Sequence, residues 1–156
     1  MSVSATLREF LARRNADYEI IEHPRTGSAM RTAEVARVPG EQMVKGVIVE
    51  DEQGYLMAVL PATHRLDVGK LSHLLGRRLG LATEPELGSV FADCELGSVP
   101  PVGGAFGIDS VMDQTVAAQK DVYFESGDHG EVIHMGGDAY RRLLGAVESG
   151  AIGHHI

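Results

Sequence analysis

Eleven residues two-thirds of the way along the chain, 97–107 (GSVPPVGGAFG), hold four glycines and two prolines, and no other stretch constrains the fold as much. Proline lacks the amide proton that a helix interior or a central strand needs, and glycine weakens both. Regular structure must therefore lie on either side of a connection longer than most, and long loops tend to carry function. The glycines leave backbone amides free to face a ligand, while consecutive prolines stiffen the loop. Such a preorganised loop can hold a carbonyl oxygen or a water without a catalytic side chain. A tight structural crossover between strands is the plainer reading of the same residues.

The flanking pattern is mixed. Val3, Leu7, Phe10 and Leu11 predict an amphipathic helix capped by Ser2 or Ser4. Residues 18–23 (YEIIEH) predict a short strand that Pro24 ends, with a loop over 25–28. Thr32 is the expected N-cap of a short helix that stops at Pro39-Gly40. Residues 43–50 (MVKGVIVE) and 55–60 (YLMAVL), joined by DEQG, predict an antiparallel hairpin. A helix over 67–75 opens at Asp67 and stops at Gly76, and another enters through Pro85. Strand signals return at 108–112, 122–125 and 132–135, with GDHG as the last turn, and Asp138 opens a closing helix containing Tyr140, Leu143, Leu144 and Val147. Helices interspersed with hairpin-connected strands predict an α+β fold with a mixed, mostly antiparallel sheet. The length of 156 residues fits one domain, 1–156, able to bury a core without disulfides or metal.

The net charge is −8, and it is uneven. Residues 1–82 carry 11 Lys/Arg against 10 Asp/Glu, whereas 83–156 carry 3 against 12. Binding of a polyanion over the whole surface is disfavoured, so any such contact is expected to be local and to use the first half. DNA and membranes are not expected partners: no stretch approaches the roughly 20 apolar residues of a membrane helix. The N-terminus lacks the pattern of a signal peptide, which points to the cytoplasm.

Lys45 stands out. If positions 43, 47 and 49 face inward, so does Lys45, placing a cation in an apolar run, and the adjacent Gly46 gives a ligand close access to the backbone. An edge-strand lysine that blocks aggregation reads equally well from the local pattern. The histidines are less informative: His64 and His73 are nine apart and His129 and His134 five apart, neither with the spacing of a helical zinc pair, and His154-His155 end the chain, where order is not expected. No metal and no cofactor are expected. Cys94, in the acidic context FADCEL, reads as a small buried residue and not as an activated thiol.

In order, the strand ending in His23-Pro24, the Thr32-Ala33-Glu34-Val35-Ala36 helix, Lys45 leading a hairpin, LPATHRLDVGKL at 60–71 and GSVPPVGGAFG followed by Ile108-Asp109 resemble the YbaK/prolyl-tRNA-synthetase-associated family of aminoacyl-tRNA editing domains, over nearly the whole chain. The resemblance implies a barrel-like core surrounded by helices. It also implies hydrolysis of the ester joining a wrong amino acid to the 3′ end of a tRNA, with an aminoacyl-tRNA synthetase as a further partner. By that resemblance Lys45 holds the phosphate of the terminal nucleotide. The glycine-to-proline loop, Gly97, Ser98, Val99, Pro100 and Pro101, orients the aminoacyl carbonyl and the attacking water, assisted by a ribose hydroxyl. His23, Met30, Thr32, Gly46, His64 and Gly103 are expected around the substrate. The second proline and the VGGA after it depart from the commoner continuation of the loop, which bears on the shape of the amino-acid pocket. Two other readings stay open: a non-catalytic module for a nucleotide end or aminoacyl group, and a small-ester hydrolase unrelated to tRNA.

Overall fold

Ser4 caps the first helix, α1 (Ala5–Arg13): its hydroxyl accepts the amide proton of Leu7, and the helix buries Leu7, Phe10 and Leu11. Ser2 and Val3 lie outside the residues described by this computed structural model, which are 4–156 apart from 25, 27 and 96. After β1 (Glu19–Glu22) comes α2 (Ala29–Ala36), one turn earlier than the sequence suggests. Ser28, not Thr32, is the N-cap, accepting from the amide of Arg31, and Thr32 is a fully buried residue inside the helix. Two hydroxyl residues four apart share one helix face, so local sequence does not choose between them.

The expected hairpin forms from β2 (Met43–Asp51) and β3 (Gly54–Pro61). It is followed by β4 (His64–Leu66) and α3 (Val68–Leu75), which Asp67 caps and Gly76 ends in a left-handed conformation. Then come β5 (Gly80–Leu81) and α4 (Glu84–Val90), entered through a reciprocal cap between Thr83 and Glu86. The Gly/Pro loop contains a single 3-10 turn, Gly103–Phe106. The chain continues through β6 (Asp109–Asp113), α5 (Gln114–Ala117), β7 (Asp121–Glu125), β8 (Glu131–Gly136) and α6 (Gly137–Leu144). The closing helix stops at Gly145 (φ +77), so Val147 lies beyond it, although still packed on the core. Two short strands follow, β9 (Glu148–Gly150) and β10 (Gly153–His155). His154 and His155 are therefore ordered, because β10 pairs antiparallel with β4.

The main sheet runs β1-β8-β7-β2-β3-β6-β9, with β5 added to β2. Pairings β1–β8, β7–β8, β2–β3 and β2–β5 are antiparallel; β2–β7, β3–β6 and β6–β9 are parallel. Helices cover both faces. Against one lie Leu7, Phe10 and Leu11 of α1 and Tyr140 and Leu143 of α6, packed on Val44, Ile48, Met57 and Phe124. On the other, Leu71 of α3 packs on Val49, Leu56 and Ala58, and Ala33 of α2 packs on Met43 and Val132. Strand β3 is buried from Leu56 onward, the near-continuous apolar run expected of a strand covered on both faces.

Candidate active site

The sheet forks beside β2. On that edge β7 pairs only with Met43 and Val44, and β5 pairs only with Val49 and Glu50, so residues 45–48 have no strand neighbour there. Successive residues of a strand turn their backbone groups to opposite edges. The Met43 carbonyl accepts from Ala62 on the β3 side, whereas the carbonyls of Gln42 and Ile48 accept from Tyr123 and Ala82 on the other side. Alternation therefore aims the N–H and C=O of Gly46 into the fork. A cavity of about 330 Å³ fills it, lined by residues 44–48, by Ala29 of α2, by Leu87 and Phe91 of α4, and by Gly97 and Val99 of the loop. That is within the usual size of small-ligand sites, and the lining is mostly apolar.

Lys45 is half-buried on this wall. Its face is the expected one, shared with Met43 and Val49, but the larger core lies on the opposite face; Lys45 sits between the two smaller clusters. Burial, and secondarily the neighbouring Arg65, hold its ammonium below the ordinary lysine value. Among the described residues it has neither an ion pair nor a hydrogen bond. Gly46 admits a neighbour: a Cβ there would stand 3.1 Å from Met57 Sδ and 3.4 Å from Pro101 Cα, so the glycine lets the loop press against the strand.

The loop is seated at both ends. Glu95 donates its amide to the Gly127 carbonyl, and its carboxylate accepts from the amide of His129, which docks the loop entry on the β7–β8 turn. Gly97 follows at φ +82, a conformation that glycine adopts freely, with its backbone against the His129 ring. Ser98 is buried and turns its hydroxyl onto the Glu95 carbonyl at 3.0 Å; it does not line the cavity. Pro100 and Pro101 are buried, and the Pro101 carbonyl accepts a 2.6 Å hydrogen bond from Tyr140 of α6, itself fully buried.

A buried carboxyl that the sequence did not single out completes the lining. Glu125, at the end of β7, is only 4% exposed yet contributes to the cavity lining. Thr32 donates to its Oε1 at 2.9 Å and also bonds the hydroxyl of Thr26, and His129 Nδ1 lies 3.0 Å from its Oε2. Burial pushes the Glu125 carboxyl above the ordinary glutamate range, opposed by the Thr32 hydrogen bond and by His129 and His23. Cys94 also lines the cavity, but burial pushes its thiol up to about 12, so it is no nucleophile at neutral pH.

Of the expected site residues, Lys45, Gly46, Gly97 and Val99 meet on the cavity wall. His23 and Thr32 stand one layer behind it, around Glu125. Met30 is exposed, one residue round the helix from Ala29, which takes the cavity position. His64 lies on the β4–β10 ribbon, edge-on to His155 at 5.3 Å and hydrogen-bonded to Thr63, outside the cavity. Gly103 is also outside it: a Cβ there would fall 2.5 Å from the Ile108 carbonyl oxygen, so the glycine serves packing. Among the described residues, no group of three or more His, Cys, Asp and Glu could hold a metal ion, and no helix is long and apolar enough to cross a membrane.

Residues 23–143 match the aminoacyl-tRNA editing domain family. The chain is 33% identical over 145 residues to a proline–tRNA ligase of Bordetella petrii, a match covering 86% of this chain and 24% of that one. It is 30% identical over 99 residues to a proline–tRNA ligase of Kosmotoga olearia, covering 63% and 17% respectively. The chain thus spans a quarter or less of the length of these curated relatives. Its fold superimposes on the crystal structure of a candidate trans-editing enzyme for prolyl tRNA synthetase with a TM-score of 0.84 at 24% identity, covering 99% of each chain.

Proposed function

The chain belongs to the aminoacyl-tRNA editing domain family, and from that premise we propose that it is a deacylase that frees a misattached amino acid from the 3′ end of a tRNA, acting in trans in the cytoplasm. The observation that carries this reading is the meeting of Lys45 and the Gly97–Pro101 loop on one mostly apolar cavity whose lining offers no nucleophile–base pair. Chemistry of that kind suits a water held by backbone groups.

In this reading the Lys45 ammonium takes the phosphate of the terminal nucleotide and fixes the ester in the fork. Water adds to the ester carbonyl, and the oxyanion that forms is met by backbone N–H groups of Gly46 and the loop. The carbon–oxygen bond to the ribose then breaks, the ribose oxygen takes the proton, and free amino acid and tRNA leave. A neighbouring ribose hydroxyl orders the water, as the family resemblance implies. Pro100 and Pro101 keep the loop in shape before substrate arrives, so little binding energy goes into ordering it.

An acidic protein gripping only a 3′ end makes few phosphate contacts, so its binding should weaken only gently with salt. A synthetase partner would supply the remaining tRNA affinity, and the proline–tRNA ligase relatives make tRNA for proline the first to test. The deciding experiment is a panel of mischarged tRNAs set against simple amino-acid esters. Hydrolysis of at least one mischarged tRNA is expected, with the simple esters, which lack the phosphate, cleaved at least about 100-fold less efficiently. Binding without turnover across the panel would favour a recognition module, and equal cleavage of simple esters would favour a general esterase.

A further inference from the structure

Lys45 and Glu125 project from neighbouring strands on the same side of the fork. β2 and β7 pair in parallel at Met43–Tyr123 and Val44–Phe124 and then part. Lys45 lies two residues beyond Met43 and Glu125 two beyond Tyr123, so both continue the same face. Both line the cavity, yet no ion pair joins them: Glu125 is engaged by Thr32 and His129, and the charge that acts on Lys45 is that of Arg65. The cavity thus presents a cation from one strand and a carboxyl from the other, in a lining that is otherwise mostly apolar.

We propose that Glu125 receives the α-ammonium group of the aminoacyl moiety, so that the cavity selects esters carrying a phosphate at one end and a free protonated amine at the other. This rests on the deacylase reading and goes beyond it by naming the group that recognises the amine. A carboxyl that is 4% exposed, with a hydroxyl and an imidazole as its close partners, is costly to keep charged in an apolar wall. Each carboxylate oxygen accepts about two hydrogen bonds, and Thr32 contacts one oxygen and His129 the other, which leaves acceptor capacity on both. Burial alone disfavours the charged carboxylate, and an entering ammonium would restore it. Glu95 also lines the cavity, but it is only half-buried, so water already solvates its carboxylate, and it is tied to the backbone of the β7–β8 turn.

The test compares the best-cleaved aminoacyl-tRNA with its α-hydroxy counterpart, which replaces the ammonium by a neutral group of the same size. Each kcat/KM is divided by the uncatalysed hydrolysis rate of that ester. The wild-type protein should prefer the amine by about 10- to 100-fold, the range of a hydrogen bond to a charged group. Glu125→Gln, which keeps the shape and the Thr32 contact, should bring the two substrates within about threefold. Glu95→Gln should keep the preference. If Glu125→Gln does not fold, Glu125→Asp withdraws the charge by one methylene and should lose part of it. Wild-type indifference to the amine, or a full preference in the Glu125 variants, would overturn the assignment while leaving deacylation standing. A protein that hydrolyses no member of the mischarged panel would overturn both.

Discussion

Gly97 rests on the imidazole of His129, its missing side chain leaving 3.6 Å between an ideal Cβ position and His129 Cε1. His129 in turn contacts Glu125, so the loop entry, the β7–β8 turn and the buried carboxyl form one assembly. The loop is thereby fixed by what lies behind it, and its backbone is left to face the cavity.

Replacing Gly97 with Val should therefore cost far more activity than replacing Ser98 with Ala. A β-branched residue at φ +82 is strained by more than about 1 kcal/mol, and its methyl groups would push into the His129 ring. A fall of about 100-fold or more in kcat/KM is expected. Ser98→Ala loses the hydrogen bond to the Glu95 carbonyl and should lower stability by about 1 kcal/mol, with a modest change in rate. Thermal melts beside the rates separate lost catalysis from lost folding. Abolished hydrolysis in Ser98→Ala with an active Gly97→Val would make the hydroxyl the catalyst and refute positioning by backbone.

Lys45→Ala should leave the fold intact, because the ammonium is held only half-buried and makes no described contact, and should reduce hydrolysis by about 100-fold or more. Its burial lowers the lysine pKa, so the grip on phosphate should fail on the alkaline side at a pH below 10.5. Tight binding of a 3′-terminal nucleotide fragment that persists unchanged in the alanine variant would remove Lys45 from the site.

Much of this was legible in the chain. The hairpin, the capped helices and the loop are written in local chemistry: Asp67 before Lys70, Thr83 before Glu86, prolines where no amide proton is available. Lys45 and Gly97 were found because a cation in an apolar strand and a glycine before prolines are local anomalies. Glu125 was not, since β7 alternation puts it with Asp121 and Tyr123 on the less buried face, and only α2 crossing above buries it. Met30 was expected by resemblance alone; it stands about 100° round α2 from Ala29, the residue that takes the cavity position. The ordered His154 and His155 depend on β4, nearly ninety residues away, which no local pattern reveals.

Gly103→Ala separates packing from binding. Its methyl would meet the Ile108 carbonyl oxygen and Ser110 Oγ at 2.5 Å, and a backbone oxygen yields poorly. Stability should drop by about 1–3 kcal/mol, while kcat/KM well below the melt stays within about twofold. A large rate loss in a variant with an unchanged melting temperature would return Gly103 to the substrate site.

The Asp51–Arg77 clamp predicts an acid limb in stability. Arg77 donates to both carboxylate oxygens, at 2.7 and 2.8 Å, and holds the Asp51 carboxyl down to about 2. Since the folded value lies below the unfolded 3.8, the contribution is complete above about pH 4 and is lost as pH falls toward 2. Asp51→Asn should melt below wild type at pH 7, and the gap should narrow by pH 2. A gap of constant size would show that charge has no part in it.

Glu125 runs in the opposite direction. Burial raises its folded pKa above the ordinary 4.5, against the pull of Thr32, His129 and His23. Below pH 4.5 the carboxyl is protonated in both states and costs nothing. As pH rises past 4.5 the unfolded chain releases its proton first, so the folded state binds more protons and stability falls until the folded carboxyl also ionises. Each unit by which the value is raised costs about 1.4 kcal/mol above that point. Glu125→Gln has no such proton, so urea titrations at pH 4 and pH 8 should find the variant gaining on wild type at the higher pH. If wild type instead gains on the variant as pH rises, the carboxylate is stabilised by the fold. The cavity would then hold a settled anion, not one waiting for a cation.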